Sequence, residues 1–134
     1  MANYYTDEKN VQIVVALLKK HGIKKIISPL TVSLQIDTFF EIYSSVDERS
    51  AAYIACGLAA ESGEPVVISC TGATASRNYL PGLTEAYYRK LPVLAITSTR
   101  KVTKIGHLVD QVMDRTVLPR DVAKISVTLP IVED

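Results

Sequence analysis

Val46-Asp47-Glu48-Arg49-Ser50-Ala51-Ala52 opens a helical run that reaches Ala60, and Glu64-Pro65-Val66-Val67-Ile68-Ser69-Cys70-Thr71-Gly72-Ala73-Thr74-Ala75-Ser76-Arg77-Asn78 follows it. The stretch reads as strand end, helix, strand, turn and helix. A carboxylate sits where the first strand gives way to its helix, and a glycine-centred turn follows the second strand. In an open parallel sheet both features fall at the carboxyl ends of strands, where ligands bind. The rest of the chain reads as scaffold that brings these two edges together.

Working outward, the alternation continues in both directions. Asp7 to His21 carries Val11, Val14, Val15 and Leu18 at helical spacing, with Asp7 and Glu8 in front. Lys19, Lys20 and His21 stand at the back, where they complement the helix dipole, and Gly22 stops the helix. Ile23 to Ser28 is a short strand punctuated by Pro29, and Thr31 to Thr38 is expected to be helical, with a mixed pattern. Phe39 to Val46 is a second strand and Asp47 to Glu61 a second helix. After the Gly63-Glu64-Pro65 turn, Val66 to Cys70 is nearly all apolar, which suits a strand buried on both faces. A helix from Thr74 to Arg89 is expected next, then a buried strand from Pro92 to Thr97. A short helix near Leu108 to Met113 and an alternating strand from Val122 to Leu129 complete the reading. This βαβα rhythm predicts an α/β fold: a doubly wound, mainly parallel sheet with helices on both faces.

Composition sets the bounds. The 134 residues make one ordinary domain, and 48% hydrophobic against 22% charged residues marks a globular chain. Net charge is +1 with both signs scattered, so there is no electrostatic footprint for nucleic acid. No apolar run has the length of a membrane span, and the first residues lack a signal-peptide pattern. Cys56 and Cys70 lie in apolar segments without metal-ligand spacing, which reads as a reduced, cytoplasmic protein with two buried thiols. Dinucleotide, triphosphate and serine-hydrolase fingerprints are all missing. Cys70 with His107 could make a nucleophile and base, but nothing in the sequence brings them together.

The candidate residues have structural readings as well as functional ones. Ser45-Val46-Asp47-Glu48 fits a capping box in which Glu48 folds back on the backbone of Ser45, and Asp47 could likewise be a cap or a dipole partner. On local mechanics alone the capping box is favoured. Thr71-Gly72-Ala73 is most simply a strand-to-helix turn in which glycine supplies a backbone conformation other residues avoid; its functional reading is close backbone approach to a ligand. Asn78 fits a polar helix face, and His107, next to Gly106, fits an exposed loop.

The same residues resemble a known family. Val46-Asp47-Glu48-Arg49-Ser50-Ala51-Ala52 with Gly57-Leu58-Ala59 looks like the pyrimidine-binding (PYR) domain of thiamine diphosphate enzymes. Cys70-Thr71-Gly72-Ala73-Thr74-Ala75, Asn78-Tyr79-Leu80-Pro81, Glu85-Ala86, Pro92-Val93-Leu94-Ala95-Ile96-Thr97 and Val109-Asp110-Gln111 extend the match along nearly the whole chain. Within the family the wording is nearest to the 2-succinyl-5-enolpyruvyl-6-hydroxy-3-cyclohexene-1-carboxylate synthase branch. That branch reads S-P-G-S-R-S after its first strand, whereas this chain reads Ser28-Pro29-Leu30-Thr31-Val32-Ser33. The missing glycine and arginine argue against that branch's own reaction.

The resemblance implies a role for Glu48: in this family the matching glutamate hydrogen-bonds N1′ of the cofactor's aminopyrimidine and activates it for attack on a 2-oxo acid. It implies decarboxylase or carboligase chemistry, with catalysis rather than capping as the use of that carboxylate. By the same match, Thr71, Gly72, Ala73, Asn78 and His107 approach the cofactor or its partner domain. The family holds pyrophosphate and Mg2+ in a separate domain with a G-D-G…N motif, and no G-D-G occurs here. Residues 1–134 are therefore expected to be one PYR-type domain, half of a composite site completed by another domain or chain. Pairing into a PYR–PYR homodimer or higher oligomer is expected too, with helices near Glu48 and Asn78 at the interface. The competing expectation is a non-catalytic α/β module that keeps the fold and binds or regulates a partner.

Overall fold

A computed structural model of the chain describes residues 6, 8–28, 37–72, 74–98, 102–110, 112–115, 117–130 and 132. Four short strands form one sheet: β1 (Lys25–Ser28), β2 (Glu41–Ser44), β3 (Val66–Cys70) and β4 (Val93–Thr97). All neighbours run parallel, in the order β2-β1-β3-β4. Ile26 lies beside Ile42 and Val67, and Ile27 beside Tyr43 and Ile68. Alternation along these strands sends side chains to opposite faces.

Each face has its own core. Ile26 and Val67 pack with Leu18 and Phe40 under α1 (Lys9–Lys20). Ile27, Val66, Ile68 and Cys70 pack with Ala51, Ala52, Ala55 and Ala59 of α2 (Glu48–Ser62) and with Tyr79. Helices thus cover both faces of a parallel sheet, as the alternation predicts.

The ends of α1 follow from its sequence. Gly22 takes φ +68°, its N–H donates to the Lys19 carbonyl, and the Ile23 N–H donates to the Leu18 carbonyl. This is the pair of bonds that closes a helix through a left-handed glycine, and Ile23 then packs against the Leu18 cluster. Beyond it, Lys19 pairs with the buried Asp37, whose other oxygen accepts the Phe39 N–H at 3.1 Å. Hydrogen bonding from Lys19 holds the Asp37 carboxyl below its usual range.

Several expectations change. The helix expected from Thr74 to Arg89 is two: α3 (Thr74–Asn78) and α4 (Leu80–Arg89), joined at Tyr79. Pro81 explains the break, since it has no N–H to give the Arg77 carbonyl and its ring crowds that carbonyl. Pro81 fits the first turn of α4, where no internal donor is needed. The Pro92–Thr97 strand exists as β4, but at a sheet edge and only half-buried, with Leu94 43% exposed. An apolar run does not distinguish a central strand from an edge strand.

Residues 122–130 form no strand: Ile125 and Val127 are 77% and 75% exposed. Alternation there meets no neighbouring strand among the described residues to close a ladder. Leu108 to Met113 shows no helix among its described residues; a 3-10 turn spans Val102–Lys104 instead, and Leu108 has φ +53°. The helix expected at Thr31 to Thr38 lies outside the described residues up to position 36.

Candidate functional site

The chain leaves β1, pairs β2 on one side, then crosses to place β3 on the other. The direction of the connections reverses between β1 and β3, and in such sheets the carboxyl edge at that point is the usual ligand position. Ser28 ends β1 there, and its hydroxyl donates to the Ser69 carbonyl at 3.3 Å. β2 delivers Asp47 and Glu48 to the same edge, and β3 delivers Cys70, Thr71 and Gly72.

The head of α2 is not the capping box expected from Ser45 and Glu48. Asp47 is the N-cap: its carboxylate accepts the Ser50 N–H at 2.8 Å and the Ser50 hydroxyl at 2.7 Å. The Ser45 hydroxyl donates to the Asp47 carbonyl instead. The reason is one of phase: the chain stays extended through Asp47, at φ −152° and ψ 162°, so the helix starts two residues later than a Ser45 cap requires. Glu48 becomes the first helical residue. Among the described residues no hydrogen bond or ion pair engages its side chain.

Glu48 also has a defined place on the helix. It stands three and four residues before Ala51 and Ala52, which with Ala55 and Ala59 form the buried stripe of α2. Residues at that spacing share a face, so Glu48 is the half-buried polar head of an apolar stripe. Cys70, the last residue of β3, and Tyr79 pack against that stripe. Burial pushes the Cys70 thiol upward, opposed by hydrogen bonding with Tyr79, and the nearby Glu48 charge pushes it further up. Burial likewise drives the Tyr79 hydroxyl far above its usual range, with Cys70 and then Glu48 adding to it. Glu48, Cys70 and Tyr79 are thus electrostatic neighbours.

The turn after β3 does need a glycine, for a different reason from the one expected. Gly72 has no left-handed φ; a Cβ there would stand 2.6 Å from the Ser98 carbonyl oxygen. The Gly72 N–H donates to the Ser98 hydroxyl at 3.1 Å. The close approach is to the end of β4, and it draws the two strand ends together. Arg115 locks the arrangement from outside: its guanidinium donates to the Ser76 hydroxyl at 3.0 Å, the Thr97 hydroxyl at 3.2 Å and the Ser98 carbonyl at 2.8 Å.

Thr71 is exposed beside this turn, and Ala73 lies outside the described residues. Asn78 is half-buried at the end of α3, its amide donating to the Thr74 carbonyl at 3.3 Å. His107 is exposed in a turn, its backbone N–H donating to the Lys104 carbonyl. The structure therefore brings together Glu48 and the Cys70–Gly72 strand end, while no described contact joins His107 to them. Both cysteines are buried free thiols, and the Cys56 thiol donates to the Gly82 carbonyl at 3.2 Å. Among the described residues no group of three or more His, Cys, Asp or Glu side chains gathers as a metal site, and no helix is long and apolar enough to cross a membrane.

Sequence reading overlooked Tyr79 and Arg115. Tyr79 could have been found: Ala75, Tyr79, Leu83 and Ala86 form a helical apolar stripe, which places a phenol in the core. Arg115 lies in irregular chain where no periodicity signals it.

Residues 9–118 match the family described as thiamine pyrophosphate enzyme, N-terminal TPP binding domain. The 2-succinyl-5-enolpyruvyl-6-hydroxy-3-cyclohexene-1-carboxylate synthase of Bacteroides thetaiotaomicron is 37% identical over 133 residues, covering 94% of this chain and 24% of that protein. The synthase of the same name from Porphyromonas gingivalis is 40% identical over 107 residues, covering 75% of this chain and 18% of that one. The chain thus spans about a quarter or less of the length of these relatives. An X-ray structure described as a candidate thiamin diphosphate-dependent enzyme from Mycobacterium smegmatis superposes with TM-score 0.59 at 22% identity, over 66% of this chain and 18% of that one. That likeness shows a shared fold. The chain belongs to the thiamine pyrophosphate enzyme family and carries its N-terminal TPP-binding domain.

Proposed function

We propose that this domain is the pyrimidine-binding half of a thiamine diphosphate site in an enzyme that decarboxylates or ligates a 2-oxo acid, with Glu48 as its catalytic carboxylate. The observation that carries this reading is the state of Glu48. It heads a buried stripe at the carboxyl edge of the sheet, and Asp47, not Glu48, satisfies the helix N-terminus. The carboxylate is left available for an outside partner, which fits an aminopyrimidine ring nitrogen.

When bound, thiamine diphosphate supplies the electron sink that lets a carbon–carbon bond next to a carbonyl break or form. Glu48 holds a proton at N1′ of the pyrimidine, in a setting where the apolar stripe behind it limits access of water. Thr71, Gly72 and Ala73 are proposed to approach the cofactor or the domain that completes the site, and Arg115 holds the Ser76, Thr97 and Ser98 positions beside Gly72. Asn78 and His107 are proposed to line the same cleft. A G-D-G…N domain or chain holds pyrophosphate and Mg2+, and residues 1–134 act as a single PYR domain that pairs with a second copy. Two buried, unpaired thiols suit a reducing, cytoplasmic setting.

The test is Glu48→Gln in the assembled enzyme, which keeps the side chain's shape and removes its charge. Turnover is expected to fall by about 10²–10⁴-fold, the range for losing a positioned acid–base group, with thermal stability unchanged. Full activity in that variant would refute the assignment.

A further inference from the structure

Arg115 carries a positive charge that the described residues do not balance. It is half-buried; its Nη1 donates to the Ser76 and Thr97 hydroxyls, and its Nη2 donates to the Ser98 carbonyl. All three acceptors are neutral, and among the described residues no carboxylate stands within ion-pair distance of it. A guanidinium has five N–H donors, so one on Nη2 and the one on Nε are left over. A charge partly removed from water is ordinarily paired. Here neutral bonds hold the group in place without neutralising it.

Its position locates the missing partner. Thr97 closes β4, Ser98 follows it, and the Gly72 N–H after β3 donates to the Ser98 hydroxyl. A Cβ on Gly72 would stand 3.3 Å from Nη2, so the guanidinium lies directly against that turn. Arg115 therefore marks the carboxyl ends of β3 and β4, neighbouring strands on the edge to which α2 brings Glu48. Its own segment is tied down twice, since Arg77 Nη2 donates to the Asp114 carbonyl at 3.1 Å while Arg115 reaches Ser76. A guanidinium fixed in this way loses little further freedom when an anion arrives.

We propose that Arg115 is a substrate-binding residue that holds the carboxylate of the 2-oxo acid at the ends of β3 and β4. The proposal deepens the function proposed above and rests on it. The two donors left over sit on adjacent nitrogens, the arrangement that takes both oxygens of one carboxylate. An anion entering an edge that already carries Asp47 and Glu48 needs a cation there, and Arg115 supplies one.

The first test is nitrogen-15 NMR of the full chain titrated with pyruvate at constant ionic strength. The Gly72 and Ser98 amides and the Arg115 Nε–H are expected to shift together and saturate. Methyl pyruvate, which lacks the charge, should leave them in place, and this comparison needs no variant. Pyruvate should also leave Arg115→Gln unmoved, whereas Arg115→Lys should keep a weaker response, because an ammonium retains the charge and loses the fork. Shifts that do not saturate, equal shifts with the ester, or a response that persists in Arg115→Gln would overturn the proposal. In the assembled enzyme, Arg115→Gln should raise KM for the 2-oxo acid about 10- to 100-fold, the worth of a hydrogen bond to a charged group, with a far smaller change in kcat. An acidic side chain of the completing domain is the other source of a carboxylate. In that case Arg115→Gln would loosen assembly, seen by sedimentation, and leave KM of the assembled enzyme in place, which contradicts the proposal. The NMR arm involves neither Glu48 nor thiamine diphosphate, so failure of this site and failure of the Glu48 reading are distinguishable.

Discussion

At the head of α2 two adjacent carboxylates differ: Asp47 is bonded to Ser50, whereas no bond among the described residues engages the Glu48 side chain. Asp47 accepts two bonds from Ser50, and these bonds, the backbone one first, hold its carboxyl below the ordinary aspartate value of 3.8. A carboxyl lowered on folding adds stability that is present above its unfolded value and is lost as pH falls through the folded one. Asp47→Ala should therefore lower the melting temperature at neutral pH and remove part of the acid dependence below about pH 4. Glu48→Gln should leave the melting temperature at neutral pH in place, since Asp47 and not Glu48 caps the helix. Melts of the two variants across that range check this; equal losses would restore the capping box for Glu48. The sequence contains both S-x-x-E from Ser45 and D-x-x-S from Asp47, and local pattern cannot choose between them. What chooses is where the extended backbone of β2 ends, and that depends on its register with β1.

The elements show the same division between what pattern fixes and what neighbours fix. α2 and β3 were legible because each has a strong period or a continuous apolar run next to turn residues. The break between α3 and α4 was legible in principle from Pro81, whose chemistry outweighs the helical spacing around it. The α2–α4 contact was not legible. A Cβ on Gly82 would stand 2.5 Å from the Ala52 Cβ and 3.0 Å from the Ala52 carbonyl carbon, so the helices meet nearly backbone to backbone. Alanine there would gain about 1 kcal/mol of helix propensity, but overpacking against a fixed backbone costs about 1–3 kcal/mol. Gly82→Ala should therefore be net destabilising by roughly 1 kcal/mol, read as a lower urea midpoint. An unchanged or higher midpoint would mean that the two helices separate without cost.

For the whole molecule, the parallel sheet and its two helical faces follow from the βαβα rhythm, and the site follows from where that rhythm reverses direction. The strand expected at Val122 to Leu129 fails at this scale, because alternation specifies a face and not a partner. Its apolar residues and the half-exposed β4 edge leave hydrophobic surface open in a chain that spans about a quarter of the relatives' length. At the carboxyl edge of the sheet, Glu48 is the carboxylate proposed above to meet the pyrimidine. The most direct measurement is a crystal structure of the assembled enzyme with thiamine diphosphate and magnesium. The account predicts a Glu48 carboxylate oxygen within hydrogen-bond reach of N1′, roughly 2.6–3.2 Å, with Asp47 still on Ser50. A pyrimidine whose N1′ meets some other residue, with Glu48 turned back onto the helix N-terminus, would contradict it.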